Sequence, residues 1–280
     1  MITGDEVMEI TRYEVPGAFG DRKVIVEHMY QKESRDVFIL FHGVHGTASG
    51  VKENKYGNLG RILVSQGARV YLVETSRIRR DRDLFGNDRN AWAWAAFEGK
   101  TYGQDLFDNC SALSFILDRV SCSVNLWGFS LGGLHSIIIR GGAWKKILSG
   151  EKMDLPSIDV EKIKTLITSG SGDSIRKEAS NSLALPILST VPEADVLHGA
   201  ARNITDCRFI SFYGENDRTF TLESCRRIFD LVPLEERDKS FNIIEGADHS
   251  FREIHGEPSS EPLGKMVSII TDIKTMASLG

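Results

Sequence analysis

The chain has 280 residues, four cysteines and a formal net charge of −5, with its lysines and arginines spread among acids. That length accommodates one large core, and the dispersed, slightly acidic charge offers no basic footprint for a nucleic acid. No apolar run reaches the roughly 18 residues of a bilayer span, the first residues lack the basic-then-apolar order of a secretory signal, and the cysteines lack metal spacing; the expectation is a cytoplasmic protein with reduced thiols, no metal and no stable membrane insertion.

Residues 7–15 and 23–30 alternate imperfectly and are separated by Pro16-Gly17, as two strands near a sheet edge joined by a turn. Residues 36–41 (DVFILF) are almost wholly apolar, the pattern of a strand buried on both faces of a parallel sheet, and they run into His42-Gly43-Val44-His45-Gly46. Over 54–66, Tyr56, Leu59, Ile62 and Leu63 recur at helical spacing; Gly67 stops that helix and 68–73 (ARVYLV) form the next strand, which completes one β-α-β unit. Periodicity is lost over 74–103, predicted to be a long loop that carries Trp92, Trp94 and Phe97. Its charged run 77–82 (RIRRDR) reads as a solvated loop, with contact to an anionic ligand as the alternative. A helix resumes over 104–120 with Leu106, Cys110, Leu113, Leu117 and Val120 on one stripe, then a strand over 123–127 and a helix over 134–140. Residues 141–162 are expected to be irregular, with at most a surface helix around Trp144. A short strand over 164–169 follows. Pro186, Pro192 and two apolar clusters make 174–203 a small lid or bent helical excursion, with Leu183, Leu185, Ile187 and Leu188 as its apolar face. A strand over 208–213, a helix over 221–231 capped at Thr221, a strand over 240–244 and an amphipathic helix over 263–279 complete the chain. Strands and helices alternate after residue 35, so the expected class is α/β in one domain spanning 1–280.

The stretch 124–133 (VNLWGFSLGG) reads as a buried strand, a tight turn and a helix, with Gly128 and Gly132 on either side of Ser130. This is the G-x-S-x-G pattern of a nucleophile elbow. A serine hydroxyl needs a histidine as base and a carboxylate that fixes the histidine tautomer, and in open α/β sheets such groups gather beyond the carboxyl ends of the strands. Asp217 lies beyond strand 208–213 and His249 beyond strand 240–244, which gives the order serine, acid, histidine expected of this arrangement. Asp173, beyond strand 164–169, is the competing acid, and Asp248 is expected to face away. For the oxyanion, the Leu131 N–H at a helix N-terminus supplies one donor and the Val44 N–H the other, with Gly43 as the alternative. His45, Trp92, Trp94 and Phe129 are candidates for the substrate pocket, against core packing for the aromatics and a structural hydrogen bond for His45.

With His42-Gly43, the G-F-S-L-G-G run, Asp217 and His249 in this order, the chain resembles the α/β-hydrolase fold superfamily over roughly residues 8–279. The resemblance implies a three-layer α/β sandwich with a mostly parallel central sheet, and serine hydrolase chemistry without a cofactor. The loop is not the H-G-G-G form of the hormone-sensitive-lipase-like branch, and 141–203 is too short for a large helical cap, so a small or minimal lid is implied. Esterases, lipases, peptidases, acyltransferases and non-hydrolytic members share these motifs, and a serine peptidase, amidase or thioesterase with the same triad is the nearest rival. A carboxylic ester of small or medium size is the favoured substrate, because no long apolar surface suited to lipid is evident. A non-catalytic ligand-binding protein is the rival from another class, and the complete set of three groups speaks against it. The expected partner is a small-molecule ester, with a homodimer left open.

Overall fold

The computed structural model of the chain describes residues 8–32, 34–44, 46–86, 88–180 and 186–278. β1 (Glu9–Pro16) and β2 (Lys23–Tyr30) pair antiparallel, with Glu9 opposite Tyr30 and Pro16 opposite Lys23. β3 (Asp36–Phe41), α1 (Lys55–Ser65) and β4 (Ala68–Glu74) form the expected parallel unit, and α1 is capped by the Asn54 side chain, which accepts from the Tyr56 N–H. After β4 the chain makes a 3-10 turn at Arg82–Phe85 and then α2 (Arg89–Phe97), α3 (Tyr102–Leu117), β5 (Val124–Phe129) and α4 (Leu131–Arg140). α5 (Trp144–Gly150), β6 (Ile163–Ser169), α6 (Lys177–Ser180) and α7 (Ala194–Arg202) lead to β7 (Arg208–Gly214), α8 (Leu222–Leu231) and β8 (Lys239–Ile244). A small hairpin of β9 (Glu253–Ile254) and β10 (Glu257–Pro258) precedes α9 (Glu261–Ser278).

The central sheet has eight strands in the order β1-β2-β4-β3-β5-β6-β7-β8, parallel from β4 through β8 and antiparallel at the β1-β2-β4 end. Successive side chains of a strand point to opposite faces, and β3 divides accordingly. Val37, Ile39 and Phe41 enter the core shared with α2, α3 and α4, while Phe38 and Leu40 enter the core shared with α1 and α9. All six residues of β5 are buried, since it lies near the middle of the sheet with helices on both sides.

Two stretches, 74–103 and 141–162, depart from the sequence expectation. The segment 74–103 is not a loop throughout. α2 buries Trp92, Ala93, Ala96 and Phe97 on one face, a stripe too short to register as periodic beside the exposed Trp94. The charged run is a solvated loop only in part: Ile78 is exposed, but Arg77 is buried with its guanidinium 5.1 Å from the Phe97 ring centre and 5.4 Å from that of Trp92, and Arg80 pairs with Asp21 at 2.6 Å and Glu74 at 2.5 Å. Trp144 is buried rather than on a surface helix. In 174–203, α6, a 3-10 turn at Pro186–Thr190 and α7 are ordered elements, with Ile187 buried; Leu183 and Leu185 lie outside the described residues.

A buried ionic cluster ties α3 to the end of β4. Lys100 Nζ donates to Asp105 Oδ1 at 2.6 Å, Asp108 Oδ2 at 2.8 Å and the Ser76 carbonyl at 2.7 Å. Asp108 also accepts from Ser76 N–H at 2.8 Å and from Ala18 N–H at 2.8 Å, so the turn after β1 joins the same cluster. Burial is the largest influence on the Asp105 carboxyl and raises it, but the groups around it, the Lys100 ammonium first, together outweigh burial and hold the carboxyl below the usual carboxylate range.

Candidate active site

β5 ends at Phe129, and Ser130 then takes φ +52° and ψ −118°, a left-handed conformation costly for any residue with a side chain. The surroundings over-determine it. Ser130 N–H donates to the Ser169 carbonyl at 2.8 Å, and the Ser130 carbonyl accepts from Gly133 N–H at 2.9 Å and Ser171 Oγ at 3.0 Å. Two glycines make the turn sterically possible. A Cβ on Gly128 would lie 2.2 Å from the Gly132 carbonyl oxygen, and one on Gly132 would lie 2.6 Å from that of His42. Strand, helix and the 42–44 loop therefore close on the serine at distances only glycine permits.

His249 Nε2 stands 3.2 Å from Ser130 Oγ, and His249 Nδ1 stands 2.8 Å from Asp217 Oδ2. Asp217 is buried, and its other oxygen accepts the Thr219 and Phe220 N–H groups at 2.7 and 2.9 Å, which fixes the carboxylate plane. A carboxylate only accepts, so the imidazole proton sits on Nδ1 and the Nε2 lone pair faces the serine. Asp173 is occupied elsewhere: Arg227 donates to both its oxygens at 2.9 and 2.6 Å, and His198 Nε2 lies 2.9 Å away. Asp248 accepts the Arg252 N–H at 3.0 Å.

The loop after β3 is held by two residues that sequence reasoning did not single out for this task. His42 is buried; its Nδ1 lies 2.7 Å from the Gly43 carbonyl oxygen, which can only accept, and its Nε2 receives the Thr75 N–H at 3.2 Å. Burial, then the Arg77 charge, push its pKa down to about 4, which keeps the ring in that single neutral tautomer. Tyr56 accepts the Gly43 N–H at 3.2 Å, so that amide is committed. Among the described residues the Val44 and Leu131 N–H groups have no backbone acceptor, and both residues line the same cavity as Ser130.

That cavity has a volume of about 820 Å³ and is bordered by Ser130, His249 and Phe129. Neither Trp92 nor Trp94 lines it. α2 turns its 92/93/96/97 face inward, so Trp92 fills the core edge-on to Phe97, and Trp94, two residues further round the helix, is left 47% exposed. His45 lies outside the described residues. The cavity instead draws on Lys55, Arg82, Arg89 and Arg252, and on Ile175, Leu188 and Val191 from the excursion after β6. One sequence signal existed for two of the cations: Lys55 and Arg89 open α1 and α2, the helix position where a cation is disfavoured by the macrodipole. Among the described residues no group of histidine, cysteine and carboxylate side chains could hold a metal ion, and no helix is long and apolar enough to cross a membrane.

No family model matches the chain, and no curated protein matches it in sequence. Solved structures do. The chain is similar to a cold-adapted esterase from an Arctic intertidal metagenomic library, with a TM-score of 0.57 and 18% identity over 87% of this chain and 86% of that one. It is similar to a monoacylglycerol lipase of Paleococcus ferrophilus (TM-score 0.56, 16% identity, 95% and 99% covered). A dienelactone hydrolase of Anabaena variabilis gives a TM-score of 0.58 at 12% identity, with 95% and 98% covered. Coverage of nearly the whole of each chain, with a mostly parallel eight-stranded sheet between two helical layers, shows that this chain has the α/β-hydrolase fold.

Proposed function

We propose that the chain is a serine hydrolase that cleaves a carboxylic ester of small or medium size through an acyl-enzyme. The observation that carries this reading is the hydrogen-bonded series from Asp217 through His249 to a strained Ser130 on the wall of a cavity. His249 Nε2 takes the Ser130 proton as Oγ bonds to the ester carbonyl carbon, and Asp217 stabilises the resulting imidazolium. The Val44 and Leu131 N–H groups receive the negative charge that develops on the carbonyl oxygen, the second at the positive end of α4. The imidazolium returns its proton to the departing alcohol. Water, deprotonated by His249, then attacks the acyl carbon and releases the acid, and Ser130 regains its proton. Side chains, backbone amides and water suffice for each step.

The excursion 174–203 acts in this reading as a small lid, since Leu188 and Val191 border the cavity from it. The structural neighbours named as esterases, a lipase and a dienelactone hydrolase support ester chemistry as a class. Initial rates on 4-nitrophenyl acetate, butyrate and octanoate, alongside matched anilides and thioesters, test it. The reading expects ester turnover, highest on the shorter chains, that falls to background in Ser130→Ala. Turnover of anilides alone would overturn the ester assignment, and turnover that survives in Ser130→Ala would overturn the nucleophile.

A further inference from the structure

One wall of the cavity is cationic. Lys55 stands at the first residue of α1, Arg82 in the 3-10 turn, Arg89 at the first residue of α2, and Arg252 just beyond His249. The carboxylates on the lining are Glu53 and Asp173, and Asp173 is already matched by Arg227 and His198. Among the described residues no carboxylate lies within ion-pair distance of Lys55 Nζ or of the Arg252 guanidinium. The Lys55 ammonium rests instead 4.1 Å from the ring centre of Phe129 and 4.7 Å from that of Tyr56. Phe129 immediately precedes Ser130, so this cation is held beside the elbow. Burial, then the Arg252 charge, push Lys55 well below the usual lysine range, and the same two causes bring Arg89 down to about 10. Lys55 and Arg89 are half-buried and Arg252 is exposed, and these like charges on one wall repel one another, offset in part at Lys55 by the Asp248 carboxylate; a bound anion relieves that repulsion.

The opposite wall is apolar. Ile175, Leu188 and Val191 follow β6 and Phe220 follows β7, whereas Lys55 follows β3 and Arg82 and Arg89 follow β4. In the sheet β3 and β4 lie on one side of β5, and β6 and β7 on the other. The serine at the tip of β5 thus sits between Lys55, Arg82 and Arg89 on one side and Ile175, Leu188 and Val191 on the other, and Arg252, although it follows β8, comes close enough to Lys55 and Arg89 for its charge to act on both.

We propose that the ester taken by this site carries an anionic group, a carboxylate or a phosphate, on the half that meets Lys55, Arg89 and Arg252, and an apolar group on the half that meets Ile175, Leu188 and Val191. The inference rests on Ser130 being the nucleophile. An anion desolvated against several cations gains charge-assisted hydrogen bonds, most strongly the forked pair an arginine offers to carboxylate or phosphate oxygens. Glu53 stands on the same lining as a counter-charge that disfavours a second anionic group.

The test compares kcat/KM for matched esters in the purified full chain. In the acyl arm, 4-nitrophenyl glutarate and 4-nitrophenyl 4-phosphonobutyrate are set against 4-nitrophenyl 5-oxohexanoate, in which a methyl ketone replaces the anion, and against the ω-trimethylammonium analogue. In the alcohol arm, butyrate esters of 3-hydroxypropionate and of 3-hydroxypropyl phosphate are set against that of 4-hydroxy-2-butanone, with release of acid followed by titration. In one arm the anionic ester is expected to exceed the neutral one by about tenfold or more, with an advantage that shrinks as salt rises; the carboxylate and phosphonate or phosphate members then say which anion it is. Lys55→Met and Arg252→Gln should each reduce the anionic-to-neutral ratio several-fold, and the wild-type discrimination against the trimethylammonium ester gives a readout independent of any variant's folding. Ratios near one in both arms, in a protein whose Ser130 is labelled by a neutral fluorophosphonate, would overturn the anionic subsite and leave the hydrolase reading intact. Failure of that labelling would remove the nucleophile, and this inference with it.

Discussion

Replacing Asp217 by asparagine tests the acid through a tautomer that the structure dictates. Oδ1 is gripped by two backbone donors, Thr219 N–H at 2.7 Å and Phe220 N–H at 2.9 Å, so an asparagine must place its carbonyl oxygen there. Its amide N–H₂ then faces His249 Nδ1, which Oδ2 meets at 2.8 Å in the wild type. A donor in that position forces Nδ1 to accept and moves the imidazole proton to Nε2, where it points at Ser130 Oγ. The base then has no lone pair for the serine proton. The loss of a correctly oriented carboxylate behind a catalytic histidine costs about 10⁴ in kcat in the best-studied serine enzyme, roughly 5 kcal/mol of transition-state stabilisation, and the same scale is expected here. The assay is kcat on 4-nitrophenyl butyrate for Asp217→Asn and Asp173→Asn, with circular dichroism to verify that both fold. Asp173→Asn breaks the Arg227 and His198 contacts and should cost no more than about tenfold, the scale of about 1.4 kcal/mol. An Asp217→Asn protein within tenfold of wild type, or an equal loss in Asp173→Asn, would refute the assignment.

Other consequences are as direct. Lys100→Met leaves Asp105 and Asp108 buried without their cation, which should cost about 3–5 kcal/mol and lower the melting temperature by on the order of 10 °C; a loss under about 1 kcal/mol in urea titration would contradict the cluster's role. Gly132→Ala sets a Cβ against the His42 carbonyl and should displace the loop that carries the Val44 N–H, lowering kcat by about 10²–10³, as removal of an oxyanion donor does, while KM changes little. Burial pushes both His42 and His135 down to about 4, below their value of about 6.5 in an unfolded chain, so the unfolded state binds the additional protons as pH falls through that window. Stability should therefore be full above about pH 6.5 and decline between there and about pH 4, by up to a few kcal/mol, and a flat melting temperature over that range would count against two neutral buried rings.

The parts legible in the sequence were those in which chemistry and geometry coincide locally. Residues 36–41 and 124–129 are apolar on both faces because they sit between helical layers, and this is visible without a structure. Ser130 is marked by Gly128 and Gly132, both of which the steric closure requires. The cavity wall was less legible because it is assembled from distant segments. Trp92 and Trp94 drew notice as large aromatics in an unpatterned stretch, but a nine-residue helix orients one to the core and the other to solvent. Arg77 in the charged run is buried because Trp92 and Phe97 supply ring faces for its guanidinium and Glu74 a carboxylate at 3.4 Å, none of them predictable from local charge. Lys55 falls within the helix expected over 54–66 without standing out there, and only the fold brings it over Phe129. The choice of Val44 over Gly43 as oxyanion donor likewise depends on the Tyr56 hydroxyl, which reaches the loop from α1.

The central claim is that Ser130 is an activated nucleophile. Intact-mass spectrometry after brief treatment with a neutral alkyl fluorophosphonate, followed by peptide mapping, tests it without any knowledge of the natural substrate. The account predicts a single stoichiometric adduct on the peptide that contains Ser130, absent in Ser130→Ala and strongly slowed in His249→Ala. A folded wild-type protein that stays unmodified, or an adduct on a different serine, would contradict it.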